Sequence, residues 1–506
     1  MPNLLYDTLF APLAARQRPV LTLQDGRSLD GPAFLAMVHR AAHALAAAGV
    51  GPGDRVAVQV AKTPQALAVY GGTVALGAVF LPLNTAYTPG EVGYFVENAA
   101  PRLLLADPES ATALAPVAEA HGARLMTLDP AGAGSFADAM AAARPEFSPV
   151  ARAAGDLAAI LYTSGTTGRS KGAMLSHGNL LSNAETLVAA WAFTADDVLL
   201  HALPIFHTHG LFVATNVALL SGAGMIFQPG FDVDAVLAAL PRASAMMGVP
   251  TFYTRLLAHP GFDRAQAAHM RLFISGSAPL LAETHAAFEA RTGHRILERY
   301  GMTETNMNTS NPYDGPRRPG TVGPALPGVE VAVTDPATGA PLPTGEVGMV
   351  EVRGPNVFQG YWRMPDKTAE DMRESGFFIT GDLGCLDDEG YLTIVGRQKD
   401  MVISGGYNVY PREVEEVLDA LPGVAESAVI GLPHPDLGEA VFAVLAAAPG
   451  QAPDPAAIDA ALRGQLAGFK RPKGYAVVPA LPRNTMGKVQ KAELRRTHAG
   501  HFGAEV

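Results

Sequence analysis

The sequence predicts an α/β protein: a large multi-sheet N-terminal domain, layered α/β with a small β subdomain, and a smaller α+β C-terminal domain. Three observations carry this. The chain has 506 residues, more than one hydrophobic core serves. Short apolar runs alternate with helical-period segments over residues 29–274, the pattern of parallel sheets covered by helices. Near residue 320 the texture turns β-rich, punctuated by Gly and Pro, before a last stretch of mixed strands and helices.

The elements follow in order. Residues 29–49 have helical spacing, and Gly49 and Gly51 stop that helix. Residues 55–60 read as a strand, 64–76 as a helix and 77–81 as a strand; 102–106 and 124–128 repeat the pattern. The apolar run 157–161 is a further strand, followed at once by the polar stretch YTSGTTGRSKGAMLSHGN, residues 162–179. Strands at 197–200, 224–228 and 271–274 continue the alternation. Segments 328–334 and 346–353 form the β subdomain. After Gly396-Arg397-Gln398-Lys399-Asp400 come a strand (401–404), a helix (412–421), strands (426–431, 440–446), a helix (455–466) and a strand (475–478).

Composition narrows the function. Hydrophobic residues make up 48% and charged residues 17%, as in a globular protein and not a disordered one. A formal net charge of -11 excludes a general nucleic-acid or anionic-membrane binder, which needs a basic face. The single cysteine, Cys385, allows neither an internal disulfide nor a cysteine zinc site, and a reducing cytoplasm is the expected compartment. Asp7 and the lack of a basic start argue against a signal peptide. The uncharged stretches 63–90 and 204–230 are broken by Gly, Pro, Asn and Thr, so they read as buried core and not membrane spans.

The stretch 162–179 is built to hold phosphate. Backbone N–H groups of a glycine-rich turn converge on an anion, hydroxyls add donors and lysine adds charge. It is not a Walker A loop: Ser170 stands where that pattern needs glycine, and Gly172 follows Lys171. Further along come Tyr300-Gly301-Met302-Thr303-Glu304, Tyr361-Trp362, Thr380-Gly381-Asp382, the 396–400 segment and Pro482-Arg483-Asn484-Thr485-Met486-Gly487-Lys488. In this order the motifs resemble the acyl-adenylate-forming superfamily of acyl-CoA synthetases, luciferases and adenylation domains, across about residues 25–491.

That resemblance implies a reaction. A carboxylate attacks the α-phosphorus of ATP, giving an acyl-AMP and pyrophosphate, and a thiol then displaces AMP. It assigns Thr163, Ser164, Gly165, Thr166, Thr167, Gly168 and Lys171 to the β- and γ-phosphates. It makes Glu304 a Mg²⁺ ligand, with Thr163 beside the metal and Thr303 near the α-phosphate. Asp382 and Arg397 meet the ribose; Gly276, Ser277, Ala278, Pro279 and Glu298, Arg299, Tyr300, Gly301 and Met302 wall the nucleotide. Lys488 bridges acyl carboxylate and α-phosphate during adenylation. Residues 1–397 form the adenylation domain and 398–506 a mobile one, hinged near Lys399. Ser404, Gly405, Gly406 and Tyr407 face the pantetheine tunnel of CoA.

Two arginines point to the acid. Residues 298–309 with 204–210 closely resemble malonyl-CoA synthetases, in which the residues matching Arg255, Arg299 and Ser277 hold a distal carboxylate and His207 lines the pocket. A guanidinium fork suits that carboxylate. The alternatives are another short acid, such as methylmalonate or a propionate-like acid, and a carrier-protein thiol instead of CoA. Arg299 pairing with the adjacent Glu298 is the competing structural reading. His207 and His209 form an H-x-H pair that reads as structural or pocket wall, not metal. Oligomeric state is not legible, and a non-catalytic nucleotide sensor is disfavoured by the intact set Lys171, Glu304, Asp382, Arg397 and Lys488.

Overall fold

A computed structural model describes residues 2–163, 170–405, 407–463, 465–484 and 487–502. The expected phosphate-loop residues Ser164 to Gly168, and Gly406, lie outside the described residues. The chain divides into two compact units. One comprises Met1–Pro319, Gly323–Glu330 and Val352–Phe378; the other comprises Gly320–Val322, Val331–Glu351 and Ile379–Val506.

Two large sheets build the first unit. A six-stranded sheet runs in the order Arg124–Thr127, Leu103–Ala106, Arg55–Gln59, Val79–Pro82, Leu157–Thr163, Lys171–Ser176. All neighbours are parallel except the last pair. An eight-stranded sheet runs Asn306–Ser310, Leu297–Met302, Leu272–Ser275, Ala245–Gly248, Val198–His201, Gly224–Phe227, Pro19–Leu23, Ser28–Asp30. Its interior is parallel and both edges are antiparallel.

Such strands are covered on both faces, so they read as unbroken apolar runs; Leu103–Ala106 is wholly buried. The helix Pro64–Leu76 is nearly all buried as well. Thr63 caps its start by accepting from Ala66 N, and Gly77 ends it at φ 70°. Gly71 lets it approach the helix Gly31–Ala47 closely: a Cβ there would stand 2.9 Å from Val38 Cγ2. The uncharged stretches are therefore core. Among the described residues no helix is long and apolar enough to cross a membrane.

The polar stretch departs from expectation in its second half. Leu157–Thr163 pairs antiparallel with a second strand, Lys171–Ser176, with Thr163 opposite Lys171. No β-branched residue lies in that second strand, which is why it reads as loop. Ser176 and Asn179 then form a capping box opening the helix His177–Ala190.

The second unit holds most of a four-stranded sheet (Glu330–Thr334, Gly348–Arg353, Phe378–Leu386, Leu392–Arg397) and a five-stranded one. The latter is built on the long hairpin of Val424–His434 and Gly438–Ala447, with Gly474–Val478 parallel to the second strand. The short pair Val402–Ser404 and Tyr407–Val409 completes it; the second of these was not foreseen. Helices Pro411–Asp419 and Pro455–Leu462 close one face over Val402, Val429 and Val441. Leu481 and Leu494 close the other over Ile430 and Phe442. The fold is the mixed α/β architecture expected, with a large multi-sheet body and a smaller C-terminal part.

Candidate active site

Lys171 opens its strand, opposite Thr163. A neighbouring segment is laced to that strand through its backbone: Gln359 N donates to Met174 O at 2.9 Å and Trp362 N to Gly172 O at 2.8 Å. This fixes the Tyr361 ring beneath Lys171, whose Nζ lies 4.2 Å from the ring centre. The Tyr361 hydroxyl donates to Glu304 Oε1 at 3.0 Å. Burial first, then the Glu304 and Asp371 carboxylates, hold the Tyr361 phenol far above its ordinary value, so it stays a donor.

Glu304 reaches this point through a tight turn. Strands Leu297–Met302 and Asn306–Ser310 are antiparallel neighbours, and a Cβ on Gly301 would run into the Asn306 carbonyl. Asn306 adopts φ 51°, and Phe358 N donates to Glu304 O at 2.7 Å. Thr303 is half-buried beside it. The structure thus brings Lys171, Glu304 and Tyr361 together, with Thr163 opposite Lys171 in the antiparallel pairing. Sequence reasoning missed Asp371, whose Oδ2 lies 3.6 Å from Lys171 Nζ. Among the described residues no group of three or more His, Cys, Asp or Glu side chains could hold a metal by themselves. One oxygen ligand supplemented by phosphate oxygens is the usual arrangement for Mg²⁺, and Glu304 fits it.

A second cluster forms where Leu272–Ser275 and Leu297–Met302 run parallel. Arg299 is 3% exposed, and its guanidinium lies against Gly276, where any side chain would strike it. Its Nε and Nη2 are buried without a hydrogen-bond partner. Burial pulls the group down to about 9, so it remains a cation at neutral pH. The Glu298 carboxylate instead turns to His285, Oε1 to Nδ1 3.6 Å. Tyr253 donates to Ile274 O at 2.5 Å and lies near enough to Arg299 for the cation to oppose the rise in its pKa.

Ser277 sits next to Gly276 in the left-handed region, φ 71°. His209 Nδ1 lies 3.2 Å from its hydroxyl, and His209 Nε2 is buried without a partner. Burial, then the Arg299 cation, keeps His209 neutral, well below the ordinary imidazole value. His207 is half-buried and accepts from His209 N at 3.3 Å. Arg299, Ser277 and His207 therefore gather here, and His209, read only as wall, joins them. The H-x-H spacing was the signal; only burial distinguishes its members. Ala278 and Pro279 continue the same loop, and Tyr300 and Met302 follow Arg299 on its strand. Arg255 stands apart from these contacts: on Pro250–Ala258 it is exposed, while Phe252, Tyr253 and Leu256 face the core.

The remaining residues lie in the second unit. Asp382 and Arg397 pair across antiparallel strands, Oδ1 to Nε 2.6 Å. Lys488 is exposed, and its carbonyl accepts from Asn484 N at 2.9 Å. Lys399 lies in the single turn Gln398–Asp400. Ser404 is buried at a strand end, next to Gly405 at φ 59°, and the exposed Tyr407 ring stacks on Phe469 at 4.7 Å.

Lys171, Glu304 and Tyr361 gathered on such a body, with a smaller C-terminal part, fit an AMP-forming acid–thiol ligase. Residues 13–362 match the AMP-binding enzyme family and residues 413–488 match the AMP-binding enzyme C-terminal domain. The chain belongs to this family, the acyl-adenylate-forming superfamily. The crystal structure of ATP-bound MatB from Rhodopseudomonas palustris is 56% identical, covering 99% of this chain and 100% of that one, with a TM-score of 0.98. A feruloyl-CoA synthase of Amycolatopsis sp is 37% identical, over 95% of this chain and 97% of its own. A malonate–CoA ligase of Arabidopsis thaliana is 34% identical, over 88% and 78%.

Proposed function

We propose that the chain is a malonate–CoA ligase, converting malonate, ATP and CoA to malonyl-CoA, AMP and pyrophosphate. The observation that carries this is Arg299: a buried cation with unpartnered N–H groups, flanked by Ser277 and neutral His209. A carboxylate at the far end of a short diacid satisfies such a group; an apolar or aromatic acyl chain leaves it unpaired at a heavy penalty. Of the acids that the relatives are named for, malonate and sulfoacetate carry a second charge and ferulate does not, and malonate's is the planar carboxylate that a guanidinium fork matches. His207 lines the same pocket, and Arg255 is assigned a second cationic contact from the family resemblance alone.

In this reading Thr163, residues 164–168 and Lys171 receive the β- and γ-phosphates, and Thr303 the α-phosphate. Mg²⁺, held by Glu304 beside Thr163, would supply charge neutralisation on the phosphate oxygens. Gly276 to Pro279 and Glu298 to Met302 wall the nucleotide, and Asp382 with Arg397 takes the ribose. A malonate oxygen attacks the α-phosphorus, Lys488 steadies the charge that develops, and pyrophosphate leaves. The CoA thiol then attacks the acyl carbonyl past Ser404 to Tyr407, expelling AMP. Residues 398–506 act as the mobile domain, with Lys399 as hinge, in the cytoplasm.

The test is pyrophosphate release with Mg²⁺ and ATP across a panel of acids, with and without CoA. Malonate should lead, methylmalonate should follow, and propionate and ferulate should trail by tenfold or more in kcat/KM, at about 1.4 kcal/mol per decade. Ferulate or propionate outrunning malonate would overturn the assignment. Turnover with a carrier protein but not CoA would change the acceptor.

A further inference from the structure

We infer that Asp371 is a positioning residue for Lys171: a competing counter-ion that sets how loosely the enzyme holds triphosphate and pyrophosphate. This rests on the reading of Lys171 as the phosphate lysine.

The geometry is a set of charges around one phenol. Asp371 is the last residue of the helix Pro365–Asp371. Its Oδ1 accepts from Lys367 Nζ at 2.9 Å, one turn back, and its Oδ2 faces Lys171 Nζ at 3.6 Å. Lys367 is itself shared with Glu370 at 2.9 Å. The Tyr361 hydroxyl lies between the Glu304 and Asp371 carboxylates, under the Lys171 ammonium. Lys171 and Asp371 are only 21% and 20% exposed, so water screens the pair incompletely. Main-chain bonds hold the 359–362 segment, and with it the Tyr361 ring, against the Lys171 strand.

An ammonium in this position serves two masters. A phosphate oxygen and the Asp371 carboxylate compete for the same charge, and the carboxylate also repels the phosphate. Both effects weaken ATP, and both act equally on pyrophosphate, which carries the same two phosphates away. A tightly held pyrophosphate favours the reverse reaction, so the competitor speeds commitment to the acyl-adenylate. Lys367 moderates the effect by neutralising Asp371 from its far side.

The sign of the effect makes it testable, since damage to a merely structural salt bridge weakens binding. Asp371→Asn should lower the KM for ATP and the inhibition constant of pyrophosphate, each by about 3- to 10-fold. Asp371→Ser serves if the asparagine variant does not fold, judged by its melting transition. Lys367→Met should act oppositely and raise both constants. In a Lys171→Met background, Asp371→Asn should no longer tighten either ligand. If Lys171→Met leaves ATP affinity unaltered, the phosphate reading of Lys171 falls and this proposal with it. If Lys171→Met weakens ATP but Asp371→Asn leaves ATP and pyrophosphate unchanged or weaker, the counter-ion proposal alone falls.

Discussion

At Arg299 the chain keeps a guanidinium almost dry and leaves Nε and Nη2 without partners. A hydrogen bond to a charged group is worth about 1.5–3 kcal/mol, so losing one such contact costs about 10- to 100-fold and two correspondingly more. Arg299→Ala should therefore lower kcat/KM for malonate by about 10²-fold or more, and that for propionate by only a few-fold. Steady-state kinetics on both acids decides it; parallel losses would show that Arg299 supports the wall and does not clamp a carboxylate. Arg299 was legible in sequence because it stands directly before Tyr300-Gly301 in a motif that resembles malonyl-CoA synthetases. Its freedom from Glu298 follows from the strand, where adjacent residues point to opposite faces; which group waits on each side does not. His209 and Asp371 were hidden for a similar reason. One histidine of a pair and one acid of several on a helix end are indistinguishable until burial and spacing are known.

Elements bring their own titrations. The helix Pro411–Asp419 ends with a carboxyl among other acids: Glu415, paired with Lys491 at 2.6 Å and with Val429 N at 2.7 Å, and Glu426, paired with Arg483. Burial, with Glu415 and Glu426 adding to it and Ser427 opposing, raises Asp419 from 3.8 to about 7. The unfolded chain ionises this group first as pH rises. The stability it lends is full below its ordinary value and is lost as pH climbs through about 7. Asp419→Asn should remove that dependence and gain on the order of 1 kcal/mol at pH 8 relative to pH 5. Melting temperatures of both proteins at the two pH values test it; curves that stay parallel would place the titration elsewhere. The helix itself was legible from its spacing. The strand Lys171–Ser176 was not, since Lys, Gly, Ala, Met, Leu and Ser carry no strand preference and only its pairing with Leu157–Thr163 makes it one.

For the whole molecule, alternation of strand and helix was enough to read a layered α/β body, because local periodicity reports which faces are buried. The interleaving of the two units between residues 320 and 378 was not readable, because it follows from strand pairing across long separations. The two steps of the proposed reaction differ in what they need. Adenylation brings a carboxylate toward a polyphosphate, two anions that repel, and it needs a mobile cation at the point of attack. Thioester formation brings a thiol to a neutral carbonyl with AMP as leaving group, and it has no such need. In the proposed reaction Lys488, exposed in the second unit, serves the first step alone. Lys488→Ala should therefore abolish malonate-dependent pyrophosphate release, by 10³-fold or more if positioned charge supplies about 4 kcal/mol to the transition state. The same variant given malonyl-AMP and CoA should form malonyl-CoA at a rate within a few-fold of the wild type. Equal losses in the two half-reactions would mean that Lys488 shapes the site for both steps, and the division of labour between them would have to be redrawn.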